Sequence, residues 1–173
     1  MDAGANLELK PEIYLQFAQM GTVYCREILG TDNPCVGLIN VGEEPEKGTD
    51  LLKEVNKLLS TLTNFRGNVE GGDLFAGRAD IFLCNGLIGN ILLKFGESIP
   101  STIQQLLGKT MAEMELDRES RDLIIRVLQT SLRAFNYEHI GGIPFLGVNG
   151  ISMVGHGGSS PTAIKNMIFN AVH

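Results

Sequence analysis

The sequence lacks the excess of positive charge that nucleic-acid binding requires. Its 14 Lys and Arg residues are outnumbered by 20 Asp and Glu residues, giving a net charge of −6, so we expect no nucleic-acid partner. It also lacks any apolar run near the roughly 20 residues that span a bilayer, and its N-terminus has no signal-peptide pattern. We therefore expect a soluble, cytoplasmic protein that at most contacts a membrane surface.

Cysteine is scarce, and no metal-binding arrangement of it is present. Cys25, Cys35 and Cys84 are far apart and show neither CxxC nor Cys/His spacing, which predicts reduced, buried thiols. A G-x-G-x-x-G string after a predicted strand is also missing, which argues against a dinucleotide-binding dehydrogenase. Glycine, by contrast, is abundant at 21 residues, which indicates many tight turns or close backbone approaches.

Segments with helical and strand-like patterns alternate along the chain. Apolar residues three and four apart predict helices, whereas short apolar runs predict buried strands. The predicted helices cover 11–28, 49–62, 86–107, 120–135 and a segment from 161; the predicted strands lie within 35–42, 64–69, 79–84 and 140–154. Gly96 and Pro100 are expected to bend or break the third helix, and Asn149-Gly150 suits a tight hairpin turn.

This alternation predicts a single α/β domain over residues 1–173, built as a three-layer α/β/α sandwich with a mostly parallel sheet. In such folds ligands bind beyond the carboxyl ends of the strands. Three segments of the sequence carry glycines and polar side chains there: INVGEEPEKG, CNGLIGNILLK and GHGGSSPTAIK. Free backbone N–H groups at a helix start form an anion site, so phosphate is the expected ligand. Each segment also has a simpler interpretation, as a helix cap, a turn or a solvated loop.

Longer stretches of the sequence carry a more specific signal than these three segments. The sequence resembles the C-terminal half of the PlsX family of phosphate acyltransferases, and the resemblance covers nearly the whole chain. The matching strings occur in the family's order: DAGANLELKPEIYLQFAQMG, NPCVGLINVGEEPEKG, GNVEGGDLFAGRADIFLCNGLIGNILLK, GGIPFLGVNG and HGGSSPTAIKNMI.

The resemblance implies an enzyme of phospholipid synthesis that converts acyl-[acyl carrier protein] and inorganic phosphate to acyl phosphate, without metal or organic cofactor. It further implies a fold similar to isocitrate/isopropylmalate dehydrogenases, a homodimer, and contact with the inner face of the membrane. Acyl carrier protein and phosphate are thus the expected partners.

Combined with the chemistry of phosphate attack on a thioester, the resemblance suggests two groups of site residues. The candidate catalytic residues are Lys47, Lys94 and His156, which can supply positive charge or a proton. The candidate substrate-binding residues are Asn6, Asn40, Gly42, Glu43, Asn68, Asn85, Gly86, Asn90, Gly157 and Ser159.

Two differences from the family pattern support an alternative. Asn85 stands where the family has aspartate, which removes a charge and a base, and the second residue of GGDL is Gly72 where the family often has arginine. The alternative is a catalytically impaired, half-length relative that acts as a module for dimerisation or for binding acyl carrier protein or membrane.

A further expectation concerns the segment at about 99–135, which matches the place of a protruding helical hairpin in the family. The resemblance assigns that hairpin to dimer packing and membrane contact. Residues 109–133 carry five basic and five acidic side chains, so no strong attraction to anionic lipid is expected.

Overall fold

The computed structural model describes residues 1–132, 135 and 141–172, which divide into two compact units, Met1–Leu93 and Lys94–His173. The helices are α1 (Pro11–Glu27), α2 (Asp50–Leu59), α3 (Gly86–Glu113), α4 (Arg118–Ser131) and α5 (Pro161–Val172). The strands are β1 (Val36–Ile39), β2 (Phe65–Val69), β3 (Ile81–Leu83), β4 (Gly142–Pro144) and β5 (Met153–Gly155), and a short 3₁₀-helix covers Gly71–Leu74. The chain is therefore α/β, as predicted, while the expected single domain and dehydrogenase-like fold stay predictions.

The first unit contains a parallel sheet of three strands in the order β2-β1-β3. Val36 of β1 pairs with Phe65 of β2 on one side and with Ile81 of β3 on the other. Met1 continues this pairing beyond β3, since its carbonyl accepts a 2.7 Å hydrogen bond from the Cys84 N–H. The strands run in one direction, so their carboxyl ends lie along one border of the sheet, which we call the carboxyl edge.

The core of the first unit lies between this sheet and helices α1 and α2. α1 packs against α2 and β3, and α2 packs against β2, which places both helices on one face of the sheet. The fully buried side chains there are Tyr14, Val36, Leu38, Val55, Leu59 and Leu83. The apolar stripe of α2 predicted the contacts of Val55 and Leu59, because residues three and four apart share one side of a helix. The stripe expected for α1 is wrong by one position: Ile13, Phe17, Met20, Tyr24 and Ile28 were expected to face the core, but the buried residues are Tyr14, Ala18, Gly21 and Cys25.

The ends of α1 follow the expected signals, and α2 begins where it was expected. Pro11 is the first residue of α1, and Gly30, with φ +70°, follows its end. The Thr49 hydroxyl accepts from the Leu52 N–H and caps α2.

α3 is one continuous helix to Glu113, so the expected break near residue 100 is wrong. Pro100 lies inside it. Proline removes one backbone donor and crowds the carbonyl four residues earlier, which here belongs to Gly96, a residue without a side chain. The hydroxyls of Ser101 and Thr102 both donate to the Ser98 carbonyl, at 3.0 and 2.8 Å. Pro100 therefore does not end the helix, contrary to the prediction.

In the second unit, α4 follows α3 after residues 114–117, and Asp117 caps α4 by accepting from the Ser120 N–H at 2.8 Å. β4 and β5 form an antiparallel pair in which Ile143 faces Val154. The expected tight turn at Asn149-Gly150 is wrong: these residues lie within the longer connection 145–152, whose ends meet through a 2.8 Å bond from the Phe145 N–H to the Ser152 carbonyl. Part of the predicted segments, at 133–134 and 136–140, lies outside the described residues.

α5 begins as the sequence predicted, with Pro161 as its first residue. Ser160 provides the cap, because its hydroxyl accepts from the Ala163 N–H at 3.2 Å. α5 packs against the β4-β5 pair, where Gly142 leaves room for the Met167 side chain. No helix in the described part of the chain is long and apolar enough to cross a membrane.

Candidate functional site

Within the first unit, the carboxyl edge brings together two of the segments predicted to bind phosphate. Leu38 of β1 pairs with Leu83 of β3, and Asn40 and Asn85 each follow their paired residue by two positions. The two side chains therefore leave neighbouring strands at the same edge. The Asn40 N–H also donates to the Val69 carbonyl at 2.9 Å, which ties the end of β1 to the end of β2.

Two buried asparagines shape the loop 40–48 that follows β1. The Asn40 amide donates to the Lys47 carbonyl at 3.0 Å, and its oxygen accepts from the Val41 N–H at 2.8 Å. The Asn68 amide donates to the Glu44 carbonyl at 2.7 Å. Both side chains are thus occupied within the chain, and they hold the loop rather than project from it.

Gly48 completes the same loop. Its φ of +86° favours glycine, and a Cβ at this position would overlap the Asn40 side chain. The loop conformation and the buried asparagine therefore depend on each other. Gly42 is buried as well, and a Cβ there would meet only the flexible side chains of Glu44 and Lys47.

The segment 1–6 forms a second loop at the carboxyl edge, organised around the Asp2 carboxylate. Asp2 accepts four hydrogen bonds, from the N–H groups of Gly4, Ala5 and Asn6 and from the Asn6 amide, at 2.7–2.9 Å. Burial alone would raise the pKa of this carboxyl, but the hydrogen bonds from Ala5, Asn6 and Gly4 outweigh burial and hold the pKa below its usual value. The exposed Asn6 is therefore held in place by its two hydrogen bonds to Asp2.

The start of α3 packs directly on this second loop. The Gly86 N–H donates to the Asn6 carbonyl at 2.7 Å, and a Cβ on Gly86 would lie 2.7 Å from that oxygen. Asn85 caps the helix, because its side-chain oxygen accepts from the Ile88 N–H at 3.0 Å. Two of the N–H groups expected to bind an anion are thus bonded within the chain. Asn90, one turn further, is exposed and lies beside Gly4.

The charged residues of the loop 40–48 differ in their partners. Glu43 forms an ion pair with Arg78, which also lies 3.4 Å from Asp73. Hydrogen bonding and charge from Glu43 raise the pKa of Arg78 further above its ordinary value. Lys47 is exposed, and within residues 1–132, 135 and 141–172 it forms no ion pair. Lys47 therefore has an ammonium group available for an anion.

The second unit holds the remaining predicted residues. His156, Gly157 and Ser159 lie between β5 and α5, in a turn closed by hydrogen bonds from the Ser159 N–H and hydroxyl to the His156 carbonyl, at 3.0 and 2.6 Å. Lys94 donates to Glu97 at 2.9 Å, and the same Glu97 oxygen lies 3.9 Å from His156 Nε2. Lys94 and His156 are thus brought to one carboxylate.

Three residues that organise these contacts were missed from the sequence: Asp2, Arg78 and Glu97. Asp2 and Arg78 lie within the strings that carry the family resemblance, but a carboxylate that binds its own loop has no local sequence signal. Glu97 could have been found in the sequence, since it lies three residues after Lys94 on a predicted helix and residues at that spacing share one side of a helix.

Known proteins resemble this chain over its whole length. The family model described as "Fatty acid synthesis protein" matches residues 1–173. Proteins named phosphate acyltransferase are similar to it: that of Chlorobaculum parvum is 48% identical over 182 residues, covering 100% of this chain and 53% of the relative. That of Chlorobaculum tepidum is 47% identical, covering 100% and 55%, and that of Salinibacter ruber is 46% identical, covering 99% and 51%.

The chain thus spans about half the length of the curated relatives it matches. Because the family model extends over every residue, the resemblance seen in the sequence strings is confirmed. The chain belongs to the family of fatty acid synthesis proteins that contains the PlsX phosphate acyltransferases.

Proposed function

We propose that this chain supplies the C-terminal half of a phosphate acyltransferase, which converts acyl-[acyl carrier protein] and inorganic phosphate to acyl phosphate in phospholipid synthesis. The observation that carries the proposal is the 46–48% identity, across essentially the whole chain, to proteins named for this activity. The clustering of polar groups and glycines at the carboxyl edge supports it, because α/β enzymes bind their ligands there.

The proposed reaction makes one bond and breaks one. A phosphate oxygen attacks the thioester carbonyl carbon, a C–O bond forms, and the C–S bond then breaks. The thiolate leaves on the carrier protein and takes up a proton. Such a reaction needs a site that holds the phosphate dianion, orients it and stabilises the negative charge on the carbonyl oxygen.

The chain's residues suit these tasks differently. Lys47 and Lys94 are exposed cations that can pair with phosphate or with the developing oxyanion, and His156 can donate a proton to the leaving thiolate. Gly42 and Gly86 allow the backbone of the carboxyl edge to approach a ligand, with Asn90 as a further donor. Asn40 and Asn68 serve the site by holding the loop 40–48.

Asn85 supports a second candidate function, that of a catalytically impaired module that dimerises or binds acyl carrier protein or membrane. The family string has aspartate at this position. In the structure the Asn85 side chain caps α3, a task that aspartate performs equally well. The substitution therefore keeps the helix start and removes the negative charge.

A homodimer formed through α3 and α4 is proposed as well. Apolar side chains on these two helices are more than half exposed: Leu106 on α3, and Leu123 and Val127 on α4. They form an apolar stripe that no other part of the described chain covers. A second copy could cover this stripe, while peripheral contact with the inner membrane face is the weaker proposal. Analytical ultracentrifugation of the chain and of Val127→Asp tests it: the chain should sediment as a dimer and the variant as a monomer, and monomers for both contradict it.

The enzyme is tested by incubating the purified chain with long-chain acyl-[acyl carrier protein] and inorganic phosphate and measuring acyl phosphate. A parallel reaction adds the separately produced N-terminal half of the Chlorobaculum parvum relative. Acyl phosphate in either reaction supports the acyltransferase. Its absence from both, while the full-length relative is active, supports the impaired module.

A further inference from the structure

Glu97 connects two of the residues proposed for catalysis. It lies on α3 one turn after Lys94, and its Oε2 accepts from the Lys94 Nζ at 2.9 Å. The same oxygen lies 3.9 Å from Nε2 of His156, which is on the segment between β5 and α5. The Glu97 side chain is 28% exposed, against 57% for Lys94 and 38% for His156, so the carboxylate is the most shielded of the three groups.

A hydrogen bond to the His156 ring favours one of its two tautomers. The Gly158 N–H donates to Nδ1 at 3.1 Å, and a nitrogen that accepts a hydrogen bond carries no proton. The proton of the neutral ring is therefore on Nε2, the atom directed toward the carboxylate.

The negative charge of Glu97 favours the approach of the two basic side chains. An ammonium and a histidine that takes up a proton repel each other, and a carboxylate between them offsets that repulsion. The other ion pair on α3 within the second unit, Lys109 with Glu113 at 3.8 Å, is exposed and on the helix alone. Glu97 differs because it connects α3 to a second segment of the unit.

We propose that Glu97 is a positioning residue for the acyl transfer: its negative charge beside Nε2 favours the Nε2–H tautomer of His156, and its hydrogen bond keeps the Lys94 ammonium next to that ring. The inference rests on the proposed function for its catalytic meaning, but the arrangement itself can be measured without turnover. Glu97 touches no substrate in this scheme and acts through the two side chains it holds.

The first test is nitrogen NMR of the full chain with ¹⁵N-labelled histidine, in which the ring shifts report the tautomer. His156→Gln identifies the His156 signals. We expect the Nε2–H tautomer in the parent, in Glu97→Asp, which keeps a carboxylate, and in the control Glu113→Gln. Glu97→Gln is expected to give a mixture of tautomers. A His156 spectrum in Glu97→Gln identical to that of the parent overturns the proposal.

The second test measures turnover with acyl-[acyl carrier protein] and phosphate. Glu97→Gln should lower kcat by about tenfold or more, with KM changed little and with partial recovery in Glu97→Asp, because general acid catalysis contributes roughly 100-fold or more. An unchanged kcat in Glu97→Gln overturns the catalytic part of the proposal. If the parent makes no acyl phosphate either alone or with the added N-terminal half, the proposed function fails, while the NMR spectra still decide the positioning.

Discussion

Asn56 of α2 and Asn68 of β2 form a buried hydrogen bond of 2.8 Å between their side-chain amides. Asn68 accepts this bond through its side-chain oxygen and donates its own amide N–H to the Glu44 carbonyl, so one side chain connects a helix, a strand and the loop 40–48. The carboxyl edge is therefore fastened to the core through a polar contact.

Asn68→Ala should reduce the free energy of unfolding by about 1–3 kcal/mol, because it leaves the Asn56 amide and the Glu44 carbonyl without their partner in a buried place. Chemical denaturation measures the loss. Asn149→Ala, at an exposed position, is the control and should change stability little. Equal effects of the two substitutions contradict this account.

Two glycines of α3 should respond oppositely to alanine. A Cβ on Gly89 would overlap the Asp2 carbonyl, whereas Gly108 has nothing within 4 Å. Gly89→Ala should destabilise the chain and speed amide exchange in residues 2–6, since the second loop must move away. Gly108→Ala should stabilise it by roughly 0.5–1 kcal/mol, because alanine is the better helix former. Denaturation of both variants tests the pair, and a shift in the same direction counts against the close packing.

The Asp2 carboxylate should make the stability of the chain depend on pH at the acid end. Its pKa is lowered in the folded chain, so the unfolded chain binds the proton more tightly and acid favours unfolding. The contribution of Asp2 is complete above the unfolded value, near 3.8, and is lost as pH falls through the lowered folded pKa. The stability difference between the parent and Asp2→Asn should shrink over that range.

Denaturation between neutral pH and pH 2 measures this difference. Asp32→Asn, an exposed aspartate, controls for the loss of one charge. A difference between the parent and Asp2→Asn that stays constant down to pH 2 would show that the four hydrogen bonds do not act on the charged form.

Much of this architecture follows from local patterns. The Pro11 start of α1, the apolar stripe of α2 and the Ser160-Pro161 start of α5 all depend on residues within one or two turns, and these predictions are confirmed. The parallel sheet followed from the alternation of elements. Family membership came from long ordered strings, which carry far more information than any single motif.

The errors arose where a residue's local preference was taken to decide the structure by itself. Pro100 was expected to interrupt α3, which continues through it, and Asn149-Gly150 to form a tight hairpin turn, whereas the pair lies within the longer connection 145–152. The hydrogen bonds by which the amides of Asn40 and Asn68 hold the loop 40–48 could not be predicted either, because their partners Lys47 and Glu44 are backbone carbonyls chosen by the folded loop; their part in substrate binding stays a prediction.

The candidate catalytic side chains give a direct test of the site. We expect Lys47→Ala, Lys94→Ala and His156→Ala each to lower kcat by about 100-fold or more, the usual effect of losing a charge-stabilising group or general acid. Lys57→Ala, an exposed residue of α2, should leave turnover unchanged. Unchanged turnover in all three variants discards the assignment.

Asn85→Asp separates the two proposed functions. Aspartate can cap α3 as asparagine does, so the free energy of unfolding should stay within about 0.5 kcal/mol of the parent. If the missing carboxylate is what impairs catalysis, acyl phosphate formation should rise in the variant. Asn85→Ala, which removes the cap as well, should cost roughly 1 kcal/mol of stability and give no gain in product. No gain with aspartate leaves the lost charge without a catalytic consequence.

The self-contained hydrogen bonding of the loops at the carboxyl edge has one more consequence. Asp2, Asn40 and Asn68 hold these loops in shape through bonds within the chain. The entropic cost of ordering the loops is therefore met during folding and not during ligand binding. A phosphate ion would bind to loops that are already ordered, so its affinity would depend on electrostatic attraction and on steric fit.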